Sequence, residues 1–354
     1  MCQICIIFQS LSIYSKFKGV VMKKILMVVI TTSMLAACSS PKLATGDIKS
    51  EALRQASLAN ITPEQAIKDA QAAFTKAAKA DLSYYTPLHF IDIKKTLAKI
   101  ESLQKNTELN NKPDTNLALI TTAFTAQKLI TDAYKVKSTI LTTLEKSLAK
   151  LQMLEKLGAK DLFKNDYMNI DKDLIDLFEL IEQNKLEKVH KNELDLLSDM
   201  TELEVDTLIK RYVEPAELIL DKSDDNDADD YAEKTYNKAV TAIKFAKTFI
   251  KTNYSQRDEV KKVGHAAVVA AKKAFNTGKL ARSMVELNEE DAELKALEME
   301  GYLNAIIQAF EAPELAVLPL QEQSQELAKL VRMQIRKLKV VEPTTNETTP
   351  TESN

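Results

Sequence analysis

The chain predicts an all-α protein, and three observations carry that prediction. Glycine occurs only 6 times in 354 residues, too seldom for the tight turns of a β-barrel or sandwich or for the phosphate loops of Rossmann and P-loop enzymes. Ala, Leu, Lys, Glu and Gln, all good helix formers, dominate the sequence. Apolar residues recur three and four positions apart between proline-marked starts and stops. With 45% hydrophobic and 28% charged residues the chain can bury a substantial core. The expected architecture is an elongated antiparallel helical bundle with long helices, with a division into two sub-bundles open at 221–230.

The first elements are not part of that bundle. Met22-Lys23-Lys24 is a short basic start, Ile25 to Ala37 is an apolar stretch of 13 residues, and small residues Ala36-Ala37 precede Cys38. This reads as a secretory signal over 22–37, too short for a comfortable membrane span. Residues 1–21 read as an over-extended reading of the gene. Lys18-Gly19-Val20-Val21-Met22 is encodable with a ribosome-binding sequence a few bases before the start codon of Met22. The ending Leu35-Ala36-Ala37-Cys38 resembles the lipobox of bacterial lipoproteins. That resemblance implies that Cys38 is lipidated and becomes the new N-terminus. Ser39, a residue other than Asp after the cysteine, implies by the same resemblance export to the outer membrane, with the chain facing the periplasm.

Residues 38–46, with Ser39, Ser40, Pro41 and Gly46, read as a tether. A helical bundle region follows over 47–220. Thr62-Pro63-Glu64-Gln65 is a capping box with proline at the first helical position. Its helix carries a seam of small residues, Ala66, Ala70, Ala73, Ala77 and Ala80, which permits close helix approach. Thr86-Pro87 opens a helix with the bulky stripe Phe90, Ile93, Leu97, Ile100 and Leu103, the expected partner of that seam in an antiparallel hairpin. Tyr84-Tyr85 is expected to pack at the corner between the two. From Pro113 to Leu157 no Gly or Pro intervenes, and Gly158 is the expected stop. A break is expected at Pro215. The acidic run 221–230 reads as a linker, and 231–340 as a second helical region. There Val263, Ala267, Ala270 and Ala274 form another small seam, stopped near Gly278. Residues 341–354, rich in Thr, Glu, Asn and Pro, read as a disordered tail. Phe90, Ile93, Leu97, Ile100, Leu144, Leu148 and Ile243 are expected in the core. The two halves share the pairing of an Ala seam with a bulky stripe, but in reversed order, so no true repeat is read from them.

Cys2 and Cys5 lie ahead of Met22 and Cys38 would carry lipid, leaving no cysteine for a disulfide, a thiolate metal site or a nucleophile. Removal of 1–37 takes four lysines and no acid, leaving 44 basic and 51 acidic residues, net −7. That balance speaks against a nucleic-acid partner. The three histidines are His89, His190 and His265. Glu187 and His190 have the Glu-x-x-His spacing of di-iron bundles, but the second such motif is missing, so a solvated face is expected. The run from Asp221 has calcium-loop ligand types at alternate positions, yet Asn226 stands where an EF-hand needs Gly and Ala232 where it needs Glu. No catalytic, cofactor or metal residues are expected, and no enzyme.

The stretch Ala66 to Asn106, with Tyr85-Thr86-Pro87 between an Ala-rich helix and an amphipathic one, resembles an uncharacterised helical domain that precedes OmpA-like domains in some envelope lipoproteins. Residues 230–276 share that pattern, with Asp230-Tyr231-Ala232 at the corner. The OmpA-like domain itself is absent after Leu338, so direct peptidoglycan anchoring is not implied. The expected function is a non-enzymatic cell-envelope lipoprotein, membrane-held by its N-terminal lipid and acting as a helical scaffold or adaptor for other envelope proteins. The alternative is a periplasmic carrier that binds a lipid or other hydrophobic ligand inside the helical bundle. An apolar cavity of roughly 300 Å³ or more would favour the carrier.

Overall fold

A computed structural model describes residues 43, 47–105 and 113–341, without the side chains of 339–341. The signal, Cys38, most of the tether and the expected tail from 342 lie outside the described residues. Every regular element among the described residues is helical: fifteen α-helices and one 3-10 turn, with no strand. The all-α prediction therefore holds. The chain divides into two compact units that meet between Glu204 and Val205.

The first unit holds α1 (Ile48–Leu58), α2 (Pro63–Lys79), α3 (Leu82–Tyr85), α4 (Pro87–Lys105), α5 (Pro113–Thr143), α6 (Glu145–Lys156), α7 (Ala159–Leu162) and α8 (Lys164–Glu182). It also holds most of α9 (Leu186–Tyr212), in which the division falls. Thr62 caps α2 by accepting the Gln65 N–H at 3.3 Å, but the Gln65 side chain turns to Asp69, so only half of the capping box forms. The Ala seam of α2 is buried at Ala66, Ala70 and Ala77, and the stripe of α4 at Ile93 and Ile100. The two do not chiefly pack on each other. Both pack on α5, which also receives α1. The reason lies in α5 itself, which offers Ala123, Ala126 and Ala133 between Leu119, Leu129 and Ile130 and so admits neighbours on several sides.

Of the expected core, Ile93, Ile100, Leu144 and Ile243 are buried, while Phe90, Leu97 and Leu148 are half-buried. The long helix from Pro113 is interrupted only at Leu144, whose φ of −107° departs from helical geometry. Hydrogen bonds Leu144 N–H to Ile140 O and Leu148 N–H to Leu144 O, both 2.9 Å, carry the chain through the break.

The second unit holds the end of α9, then α10 (Glu214–Asp224), α11 (Ala228–Tyr231), α12 (Glu233–Asn253), α13 (Arg257–Val285), α14 (Glu289–Ala309), the 3-10 turn (Pro313–Val317) and α15 (Leu320–Val341). The expected break comes at Val213, so that Pro215 falls in the first turn of α10, where its missing N–H costs nothing. Two expectations give way here. The acidic run 221–230 is not a linker: it is the last turn of α10, a corner and α11, with Ser223 and Ala228 fully buried. Gly278 does not stop a helix either, because α13 runs through it to Val285. Gly278 is small because α11 crosses there. A Cβ on it would lie 2.4 Å from the Ala228 Cβ. Gly264 plays the same part under Tyr212, where an added Cβ would come within 2.7 Å of the tyrosine Cβ.

The structure also shows a repeat that the sequence reading did not claim. Three times a helix ends, one residue takes left-handed backbone, a four-residue helix follows, one residue is extended in φ, and a new helix begins. The left-handed residues are Asp81 (φ 53°), Gly158 (φ 80°) and Asp227 (φ 56°). The extended ones are Thr86, Phe163 and Ala232, with φ of −132°, −136° and −139°. Right after each left-handed residue stands a fully buried one, Leu82, Ala159 or Ala228. Four residues after each extended one stands an aromatic, Phe90, Tyr167 or Tyr236, whose N–H returns to the extended residue's carbonyl.

Gly158 and Asp227 are 69 positions apart, and at that spacing buried residue matches buried residue: Leu144 with Val213, Ser147 with Ala216, Leu154 with Ser223, Leu174 with Ile243 and Ile181 with Ile250. Asp81 and Gly158 are 77 apart, and Ala70, Ala77, Ile93 and Ile100 match Ser147, Leu154, Ile170 and Leu177 in the same way. The shared corner at Tyr85-Thr86-Pro87 and Tyr231-Ala232-Glu233 is thus real geometry. The copy between them, at Leu162-Phe163-Lys164, lacks the Tyr-x-Pro letters that would have announced it.

Candidate functional site

Within the first unit, α1, α4 and α5 enclose a groove of about 540 Å³. Ile48, Leu129 and Thr122 are buried at its edge, and Lys49, Lys95 and Lys99 reach it from the flanking helices. Its hydroxyls come from Thr96 on α4 and Thr121, Thr122 and Thr125 on α5. Each donates to the carbonyl four residues earlier, at 2.7–2.8 Å. A threonine so bonded keeps an oxygen lone pair and a methyl group for whatever lies in the groove.

The two acids of the groove are engaged. Asp47 caps α1 by accepting the Ser50 N–H at 3.1 Å, and its hydrogen bonds with Ser50 hold its carboxyl below the usual range. Asp92 pairs with Lys95 at 3.2 Å. Lys99 has no ion partner among the described residues, so the groove offers an uncommitted ammonium beside hydroxyl acceptors. That chemistry suits a polar or carboxylate-bearing group.

A different cleft, of about 370 Å³, lies in the second unit among Leu280, Met299, Tyr302, Leu303 and Leu320, with Lys295 and Ser324 at its edge. Leu280 and Tyr302 are exposed, so it opens to the surface.

The buried polar groups that sequence reading missed serve the corner at α3. His89 lies in the first turn of α4, where it is not solitary. The Glu182 carboxylate, fully buried at the end of α8, accepts the Leu88 N–H at 3.0 Å and the His89 N–H at 2.9 Å, and meets His89 Nδ1 at 2.7 Å. Thr86 stands at the capping position, yet its hydroxyl goes back to the Leu82 carbonyl at 2.9 Å. Glu182, from 94 residues away, supplies the cap instead. A carboxylate at a helix N-terminus gains from both the free N–H groups and the helix dipole.

Beside it Tyr84, Tyr85 and Phe178 form an aromatic cluster with ring centroids 5.1–5.6 Å apart. The Tyr84 hydroxyl donates to Asp171 at 2.7 Å. Burial first, and then that bond, push the Tyr84 phenol well above its ordinary range. The tyrosine pair is therefore a packed corner, as expected. Backing helices grip two of the corners with a cation. Lys137 on α5 donates to Ala80 O at 2.7 Å and lies over the Tyr85 ring, while Arg282 on α13 pairs with Asp227 at 2.7 Å and lies over the Tyr231 ring.

His190 and His265 are exposed, as is Glu187. Asp224 accepts the Tyr236 hydroxyl. Among the described residues no group of three or more His, Cys, Asp or Glu is placed to hold a metal ion. No helix among them is long and apolar enough to cross a membrane. Cys38, the one expected modification site, lies outside the described residues. Comparison of the chain with protein families, with curated proteins and with solved structures found no match in any of the three.

Proposed function

We propose that this chain is a cell-envelope lipoprotein of the outer membrane, facing the periplasm, that acts as a helical scaffold or adaptor for other envelope proteins. The observation that carries the adaptor reading is the helix–corner–helix unit made three times over. Its copies keep their buried positions and differ on their outer faces, which is how repeat proteins present varied surfaces on a common frame. The threonine and lysine groove is the partner seat we assign. The anchor rests on the sequence from Met22 to Ser40 alone, and the proposal gives the protein no catalytic step.

Metabolic labelling with a fatty-acid analogue, followed by cross-linking in intact cells, tests both parts. The expected result is label on the wild type, none on Cys38→Ser, and cross-linked partners that are lost in Lys99→Glu. Soluble, unlabelled wild-type protein would overturn the anchor, and unchanged partners in Lys99→Glu would overturn the groove. A carrier is the second reading, favoured by the apolar cleft at Leu280, Met299 and Tyr302. Native mass spectrometry of protein purified without added lipid separates the two readings: a retained apolar ligand selects the carrier.

A further inference from the structure

The last two helices expose more apolar surface than the rest of their unit explains. Helices α14 and α15 meet through a small core at Ile307, Ala312, Leu315 and Leu327, around the 3-10 turn. Gln323 locks that turn by donating to the carbonyls of Ala316 and Leu318. Away from the turn the packing stops. On α14, Leu294 is 61% exposed and Leu297 56% exposed; on α15, Ile335 is 48% and Leu338 69% exposed. These residues are ordered by helical spacing. Val331, Ile335 and Leu338 continue the stripe of buried Leu327, and Leu294 and Leu297 share a face with Gly301. Helices in water owe most of their stability to a packed face, and these exposed apolar side chains meet none among the described residues.

Three features identify what covers them. The first is charge. Between 289 and 300, α14 carries six acids against Lys295; from Lys329 to Leu338, α15 carries Lys329, Arg332, Arg336 and Lys337 and no acid. Among the described residues no ion pair joins the two helices, and Arg332, Arg336 and Lys337 have no ion partner. The second is Gly301. A glycine inside a helix costs about 1 kcal/mol relative to alanine. Gly264 and Gly278 each lie under a crossing element, but nothing lies within 4 Å of a Cβ built on Gly301. The third is sidedness: one hairpin bears an acidic apolar helix and a basic apolar helix, which is a self-complementary surface under two-fold symmetry. A lipid surface fits less well, because an anionic bilayer that attracted α15 would repel the neighbouring α14.

We propose that α14 and α15 form an isologous interface with a second copy of this chain. The acidic half of α14 in one copy packs against the basic half of α15 in the other, and the reverse, to close a four-helix bundle. The inference does not depend on the lipid anchor or on the adaptor reading.

The test uses the chain of residues 38–354 carrying Cys38→Ser, so that no lipid drives association, and reads its mass by light scattering. The wild type is expected at twice the chain mass. Arg332→Glu/Arg336→Glu and Glu293→Lys/Glu300→Lys change only exposed residues and keep the helical spectrum. Each alone should weaken association by about tenfold or more, because like charges then face each other across the interface. Mixed together, the two variants should form a heterodimer, since acid meets base again on both sides.

Gly301→Leu raises helix propensity yet fills the approach, so it should keep the helical spectrum and be monomeric. A monomeric wild type at tens of micromolar would overturn the proposal. So would two charge variants that stay monomeric when mixed, which would place the charge pairing within one hairpin, or a monomer that floats with phosphatidylglycerol vesicles, which would give the surface to lipid.

Discussion

Replacing Glu182 by alanine is the sharpest test of how the first unit is held. The side chain is fully buried and satisfies two backbone N–H groups of α4 and the ring of His89. Alanine removes all three bonds and takes from Leu88 N–H and His89 N–H the carboxylate that accepts them, while the Thr86 hydroxyl points back to Leu82. Removing one partner from a buried charged network costs about 3–5 kcal/mol, and the orphaned N–H groups fall within that figure. For a unit of this size the loss is roughly 10 °C in melting temperature. Glu182→Gln keeps the shape and one strong acceptor, so about 1–3 kcal/mol is expected. Glu187→Ala, at an exposed position, should stay within about 0.5 kcal/mol of wild type. Urea unfolding followed by circular dichroism gives all three values. His89→Ala should be strongly non-additive with Glu182→Ala, since the two share one network. A cost below about 1 kcal/mol for Glu182→Ala, or simple additivity with His89→Ala, would falsify the capping role.

The two kinds of glycine should behave differently. Gly278→Ala drives a Cβ to 2.4 Å from that of Ala228 and should cost about 1–3 kcal/mol by overpacking, whereas Gly158→Ala meets nothing within 4 Å and should cost only the left-handed backbone strain, about 1–2 kcal/mol. Gly278→Ala combined with Ala228→Gly should recover part of the loss, and thermal melts of the three proteins decide this. In alkali, Tyr84 makes stability fall. Its folded pKa is raised, so the stabilisation is complete below the ordinary tyrosine pKa near 10 and is lost as pH climbs through the higher folded value. Tyr84→Phe should flatten that slope in unfolding curves taken between about pH 9 and 12. Ser39→Asp should hold the protein at the inner membrane if the export signal reads as the lipoprotein resemblance implies, which membrane fractionation shows.

What is local was legible in the residues alone. Helix class follows from composition and from apolar spacing, and each rests on contacts within a turn or two of chain. Thr62-Pro63 starts α2 as read, Pro215 marks the break at Val213, and Gly158 takes the left-handed position its lack of a Cβ permits. The pairing of helices was another matter. An Ala seam states that something comes close but not what, and the partner of both α2 and α4 proved to be α5. Asp81 and Asp227 hold the same left-handed backbone as Gly158 without glycine's signature, so the threefold corner stayed hidden in a sequence whose copies share burial and not letters. Gly278 read as a helix stop because the local signal for a stop and for a close crossing is the same residue.

The candidate groove was not singled out in the sequence, because the meeting of Thr121, Thr122 and Thr125 with Lys99 and Asp47 depends on three helices folding together. Glu182 had no signal at all. Its role exists only because the end of α8 comes to the start of α4 and excludes water there, and a carboxylate acquires the strength of that cap only where no water competes for the N–H groups.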